Sequence, residues 1–288
     1  MPSRNTNRRS ILQGLAVAAL SPALIAWRSN EALFAPSASA IDFYAESGQG
    51  SGPRPDFTPW SEWLKAEVIE GEQGVNLIDY GGVSAAQRSA LDGIIREWAG
   101  QSPRAWDTAN QRAYWINLYN ALTLKVVLDH YPVASIRDID ISPGFFSSGP
   151  WDAELLEIEG RAVTLNDIEH GILRPLWGDP RIHYAVNCAS IGCPNLRSEA
   201  YLPARLEAQL EEQADAYVND PRGLSFTAEG PVVSRIYDWF IEDFGGEEVG
   251  VIAHLRRHAA PERAQRLAAA GGLAGTAYDW SLNDAGAE

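Results

Sequence analysis

Apolar residues recur along this chain at three- and four-residue spacings far more often than they alternate, so the pattern predicts helices with few strands. Trp60, Trp63, Leu64 and Val68 mark one face of a short helix over Trp60–Val68. Ser84 stands as N-cap to a second helix, in which Leu91, Ile94, Ile95 and Trp98 repeat on one side. The longest helix is predicted over Asn110–Tyr131, ahead of Pro132. Its residues Ile116, Leu118, Ala121, Leu122, Leu124, Val126, Val127 and Leu128 leave almost no polar face, the mark of a helix packed inside the domain. Asn117 and Asn120 interrupt that run three positions apart and so share a side.

Further on, a short helix is predicted from Thr164 to Leu173, closed by Pro175, and the compact apolar run Ile182–Val186 reads as a strand. An amphipathic helix spans Pro203–Val218, with Asp220-Pro221 beyond its end. Leu224–Phe226 and Val232–Ser234 bracket a Glu229-Gly230-Pro231 turn and read as a hairpin. Helices follow over Tyr237–Phe244, Val249–His258 and Pro261–Ala269, then a last strand over Tyr278–Leu282. Helices with few strands in irregular order predict an α+β fold: a helix-rich single domain with a small, mostly antiparallel sheet.

The first forty residues read as an export leader. Arg8-Arg9-Ser10-Ile11-Leu12 has the twin-arginine pattern, an uncharged apolar run reaches Trp27, and Ala38-Ser39-Ala40 supplies a small-x-small cleavage site. The expected layout is a signal over 1–40, a flexible arm over 41–59 that includes the Gly-, Pro- and Ser-rich stretch Ser47–Pro59, and one globular domain over 60–284. The expected location is the periplasm or another exported compartment. The whole chain carries −15; the leader holds four arginines against Glu31, leaving −18 on the rest. That charge repels nucleic acid and, once the signal is removed, anionic membrane, so a small molecule or a peptide is the expected substrate.

Reactive side chains concentrate between Asp167 and Cys193. Both cysteines, Cys188 and Cys193, lie there with His170 and His183, two of the five histidines, alongside Glu169 and Asn187. Cys193 precedes Pro194, a residue favoured at the first position of a helix, which places the sulfur at an expected N-cap where backbone N–H groups and the helix dipole lower a thiol pKa. Gly192 before it permits close approach of backbone or substrate. His183 or His170 is the candidate base, and Glu169 or Asp167 would orient the imidazole. Asn117 and Asn120 are buried amides that either clamp loop backbone or donate to an oxyanion, and Asn187 joins them as a candidate substrate contact.

This reading gives Cys193 as nucleophile, His183 as base and Glu169 or His170 in support, in an exported hydrolase or acyl transferase acting on a peptide-like or thiol-containing amide. No cofactor is required. Two alternatives use the same residues. A Cys188–Cys193 disulfide in a non-catalytic periplasmic binding module suits an exported protein, with ten Trp and ten Tyr to line a cleft for a cell-wall fragment or a partner. A zinc site would take His183, Cys188 and Cys193, each five positions after the last, with His170 as fourth ligand.

Several segments resemble the bacterial and plant domain-of-unknown-function family 547. They are Tyr114–Leu122, Leu165–Arg174, Asp179–Cys188, Gly192-Cys193-Pro194, Val233–Phe240 with Glu242-Asp243-Phe244, and Tyr278–Asn283. The resemblance runs in order from about Trp60 to Asn283. A Ser-Cys-Pro tripeptide is common in the family where this chain has Gly192-Cys193-Pro194. The family-like pieces carry Glu169, His170, His183 and Cys193, a set that suits a papain-like or transglutaminase-like cysteine enzyme by residue type, although the order His before Cys is not the papain order.

Overall fold

A computed structural model describes residues 27–29, 31, 35–48, 54–71, 74–144 and 149–286. The paired arginines and all of the apolar run before Trp27 lie outside the described residues. The helix-rich α+β architecture is the one expected. Helix α1 (Thr58–Glu67) leads into an antiparallel pair, β1 (Val68–Glu70) with β2 (Asn76–Ile78). Helix α2 (Ala85–Ala99) begins at Ser84, whose hydroxyl accepts from the Gln87 N–H, and α3 (Thr108–His130) begins at Asp107, whose carboxylate accepts from the Asn110 N–H. Helix α3 is the axis of the main apolar cluster. Residues from Ala113 to Leu124 are all buried, as a helix without a polar face requires.

Strands β3 (Leu156–Ile158) and β4 (Arg161–Val163) form a short hairpin. The chain then enters a seven-residue π-helix (Asp167–Leu173), in which the backbone bonds reach five residues back. Its start is a reciprocal cap: Thr164 Oγ1 accepts from the Asp167 N–H, and Asp167 Oδ2 accepts from the Thr164 N–H. Pro175 does not close this helix. The chain continues through it as α4 (Arg174–Trp177) and stops at Gly178, whose φ is +57°. Proline is tolerated here because it opens the next turn. The Arg174 N–H reaches Glu169 O, and Pro175 has no N–H to offer His170 or Gly171. Those two carbonyls accept instead from the Ser39 and Ile41 N–H groups, at 2.9 and 2.8 Å.

The strand expected at Ile182–Val186 is instead a 3₁₀ helix over Pro180–Tyr184. Asp179 accepts from the Arg181 N–H and Pro180 presets the turn, so local capping overrides the apolar run. Helix α5 (Leu206–Asn219) follows, then the expected hairpin of β5 (Leu224–Phe226) and β6 (Pro231–Ser234). After α6 (Ile236–Trp239), a 3₁₀ turn at Ile241–Phe244, α7 (Glu248–His258) and α8 (Pro261–Ala269), the last strand is β7 (Gly275–Ala277). It precedes the expected Tyr278–Leu282 and pairs parallel with β6. Residues 278–282 run on to bridge Leu282 to Ser190. A second apolar cluster around Tyr184, Tyr217, Tyr237 and Phe244 supports this C-terminal half.

Candidate active site

The loop from Asn187 to Pro194 carries both sulfurs and is fastened on every side. The Asn187 N–H donates to Asn120 Oδ1, and the Asn187 side chain bridges the loop's ends, donating to Pro194 O and accepting from the Ala189 N–H. Ala189 adopts a left-handed φ of +57°, a conformation that costs about 1–2 kcal/mol outside glycine and persists only when the surroundings impose it. The Gly192 N–H donates to Asp279 O, Tyr217 Oη donates to Gly192 O, and Arg222 donates to the carbonyls of Ile191 and Cys193. A Cβ on Gly192 would lie 2.7 Å from the Asp279 nitrogen, so the close approach expected there is made by backbone.

The folded loop brings Cys188 Sγ to 2.8 Å from Cys193 Sγ, both as free thiols. Cys193 is not a helix N-cap, because no helix begins at Pro194; the chain there is a tight turn in which the Cys193 N–H donates to Ser190 O. Its sulfur finds its donors elsewhere: the Cys188 N–H at 3.1 Å, Tyr278 Oη at 3.3 Å and the Cys188 thiol. Burial opposes a charge on Cys193, yet the Cys188 thiol, Tyr278, the Cys188 N–H and Ser190 together bring its pKa down to about 7. The shared proton and burial push Cys188 the other way, well above the usual thiol range. One thiolate with a protonated partner is the resting state this favours.

The imidazoles belong to a separate network across the same cavity. His183 Nε2 lies 2.7 Å from Asp243 Oδ2, and Nδ1 faces Glu169 Oε1 at 3.6 Å. Its ring is stacked on Phe240, with centroids 4.4 Å apart and planes within 9°. His170 Nδ1 receives Arg174 Nη1 at 3.0 Å; an arginine can only donate, so the ring's proton sits on Nε2, 4.0 Å from Glu169 Oε2. Burial holds the His170 pKa down at about 4, so the ring is neutral at neutral pH. Burial likewise opposes charge on Glu169, but His170, His183 and Tyr119 outweigh it and lower that carboxyl to about 2. Asp243 falls to about 2 in the same way, burial being overcome by His183 and Arg174. Tyr119 hydrogen-bonds Glu169 and feels the charge of both sulfurs, so it stands between the two halves.

Glu169, His170, His183, Tyr119, Phe240, Tyr278 and both cysteines line one cavity of about 780 Å³. Trp239, Tyr278 and Trp280 form a mutual cluster with centroids 4.8–5.4 Å apart, and Trp151 meets Trp280 edge-on. Arg137 lies 5.2 Å over the Trp280 ring.

Residues 103–218 match a family described as protein of unknown function, DUF547. The match supports assigning that stretch to the DUF547 family. The matched segment contains α3, the π-helix, both cysteines, Glu169, His170 and His183. Tyr278, Asp243 and the wall of Trp239 and Trp280 come from beyond it. No curated protein and no solved structure matches the chain.

Of the residues singled out from the sequence, Glu169, His170, His183, Cys188 and Cys193 share the cavity. The three asparagines face the chain. Asn117 donates to Tyr201 O and accepts from its N–H, and Asn120 does the same between Ala185 O and the Asn187 N–H. Asn187 is the loop clamp already described. The proposed zinc set does not converge. Among the described residues, the group whose ligand atoms all lie within 4.8 Å is Glu211, Asp215 and His258, remote from the sulfurs in sequence and paired among themselves. Sequence reasoning passed over Tyr119, Arg174, Asp243 and Tyr278. All four lie in the family-like segments, and Arg174 is one helical turn after His170, but a segment match does not say which of its residues will face the sulfurs or the imidazoles.

Proposed function

We propose that this cavity is the active site of an exported cysteine-dependent hydrolase or acyl transferase, comparable in residue types to papain-like and transglutaminase-like enzymes. The observation that supports it is the Cys193 sulfur, poised near pKa 7 by three hydrogen-bond donors at the wall of a large aromatic cavity. The thiolate would attack an amide carbonyl carbon, forming an S–C bond while the C–N bond breaks. The amine leaves with the proton of the Cys188 thiol, the acid nearest the sulfur. Water or a second amine then attacks the thioester carbonyl, giving a proton back to the Cys188 thiolate, and the S–C bond breaks with Cys193 departing as thiolate. His183 would serve the substrate through the carboxylate network rather than by taking the Cys193 proton, since both its nitrogens face carboxylates. The test is an electrophilic peptidyl ketone probe followed by peptide mapping. Stoichiometric label on Cys193, lost in Cys193→Ala and kept in Cys188→Ala, is the expected result; label spread over both thiols or absent refutes it.

The 2.8 Å separation of the sulfurs also favours a second reading, the binding module with an oxidised Cys188–Cys193 pair. Intact mass decides it: protein recovered from the exported compartment would gain two hydrogens on reduction.

A further inference from the structure

The described part of the leader is seated on the domain, across the rim of the cavity. Trp27 is buried in the second apolar cluster at 3 % exposure. Arg28 Nε donates to Asp238 Oδ1 at 2.6 Å, while the Ser29 N–H and hydroxyl donate to Oδ2 at 2.6 and 2.7 Å. Asp238 is fully buried, and among the described residues these are the donors to its carboxylate. Glu31 pairs with Arg235 at 2.8 Å. Pro36 O accepts from Arg174 Nη1 at 2.8 Å, and the Ser39 and Ile41 N–H groups reach the carbonyls of His170 and Gly171 beside Pro175. Glu31, Ala35 and Pro36 form part of the cavity wall itself.

A buried carboxylate, an arginine donor and two adjacent carbonyls that accept from outside their own helix have the chemistry of a peptide-binding groove. The carboxylate takes a basic residue followed by a small hydroxyl residue, and the carbonyls take alternate N–H groups of an extended backbone. We infer that this rim is a docking groove for a peptide whose backbone runs extended where residues 36–41 lie, and that residues 27–29, 31 and 35–41 are such a peptide bound in cis. The inference rests on the proposed hydrolase for its meaning, since a strand held there lies against the cavity that contains Cys193. The cleavage motif Ala38-Ser39-Ala40 is exposed while the segment is seated. A cut after Ala40 leaves Ile41 N on Gly171 O but frees everything before it, emptying the groove from Asp238 to His170 O.

The experiment uses the full chain, cut after Ala40 and freed of its leader by gel filtration. A fluorescent peptide with the sequence of residues 27–40 is titrated by anisotropy. Saturable binding to the cut protein, at least tenfold weaker for a peptide with Arg28→Ala and Ser29→Pro, is expected, together with no binding to the uncut chain. Equal affinity for a scrambled peptide, or equal binding to cut and uncut protein, overturns the inference. Should the cut protein unfold, uncut Arg28→Ala serves instead: it should be cleaved at 38–40 several-fold faster by added protease and bind the peptide, and wild-type behaviour in both would overturn the inference. Anisotropy does not require a reactive thiol. Binding by Cys193→Ala with no probe labelling of wild type would therefore retain the groove and remove the hydrolase.

Discussion

Replacing Tyr278 by Phe removes one hydroxyl from the Cys193 sulfur and leaves the aromatic cluster in place. Tyr278 Oη lies 3.3 Å from Cys193 Sγ and 3.1 Å from Cys188 Sγ, with Ser190 Oγ at 2.9 Å. A hydrogen bond to a charged group contributes about 1.5–3 kcal/mol, and a sulfur acceptor at this distance takes the low end. One pKa unit corresponds to about 1.4 kcal/mol, so the loss of this donor raises the Cys193 pKa by about one unit. From about 7 it moves to about 8, and the thiolate share at pH 7 falls from about a half to about a tenth. Iodoacetamide alkylation, followed across pH 5–10 by mass spectrometry of the Cys193 peptide, should therefore be roughly five-fold slower at neutral pH, with the midpoint displaced upward. Circular dichroism of the variant checks that the fold is kept. A midpoint that stays near 7 or moves down would refute the assignment of Tyr278 as a donor to the thiolate.

Three further outcomes follow from the same contacts. Asn120→Ala leaves Ala185 O and the Asn187 N–H without their partner, and should cost about 2–3 kcal/mol, read from the urea midpoint. Gly192→Ala forces a Cβ against the Asp279 backbone; it should cost about 1–3 kcal/mol and slow Cys193 alkylation, with wild-type values in both counting against the close approach. Burial lowers the pKa of His170 to about 4 and, with help from the neighbouring His258, that of His254 to about 3, against 6.5 when unfolded. The unfolded chain then binds more protons than the native one between those values, so stability is full above about pH 6.5 and falls as the pH drops towards 4 and 3. The urea midpoint should decrease between pH 7.5 and 5.0, less so in His254→Gln; a midpoint that rises on acidification would contradict this sign.

Sequence alone determined where the longer helices α1, α2, α3, α5, α7 and α8 lie and that α3 would be buried. Capping residues and three- and four-residue periodicity are local, and Ser84, the apolar face of α2 and the all-round apolar character of α3 needed no tertiary information to be read. It also located the cluster of Glu169, His170, His183, Cys188 and Cys193, because their density in one short segment survives folding as proximity. Tertiary structure decided how that cluster divides. The histidines turned to carboxylates and an arginine, Asp243 and Arg174 among them, and the sulfurs turned to each other and to Tyr278, eighty-five positions beyond Cys193. The segment at Ile182 became a 3₁₀ turn and Pro175 was passed through, because an Asp-Pro cap and the N–H groups of residues 39 and 41 met requirements that an apolar pattern does not record. Hydrogen-bond partners distant in sequence are chosen by the packed fold, and a one-dimensional pattern fixes only those that lie within a turn or two of each other.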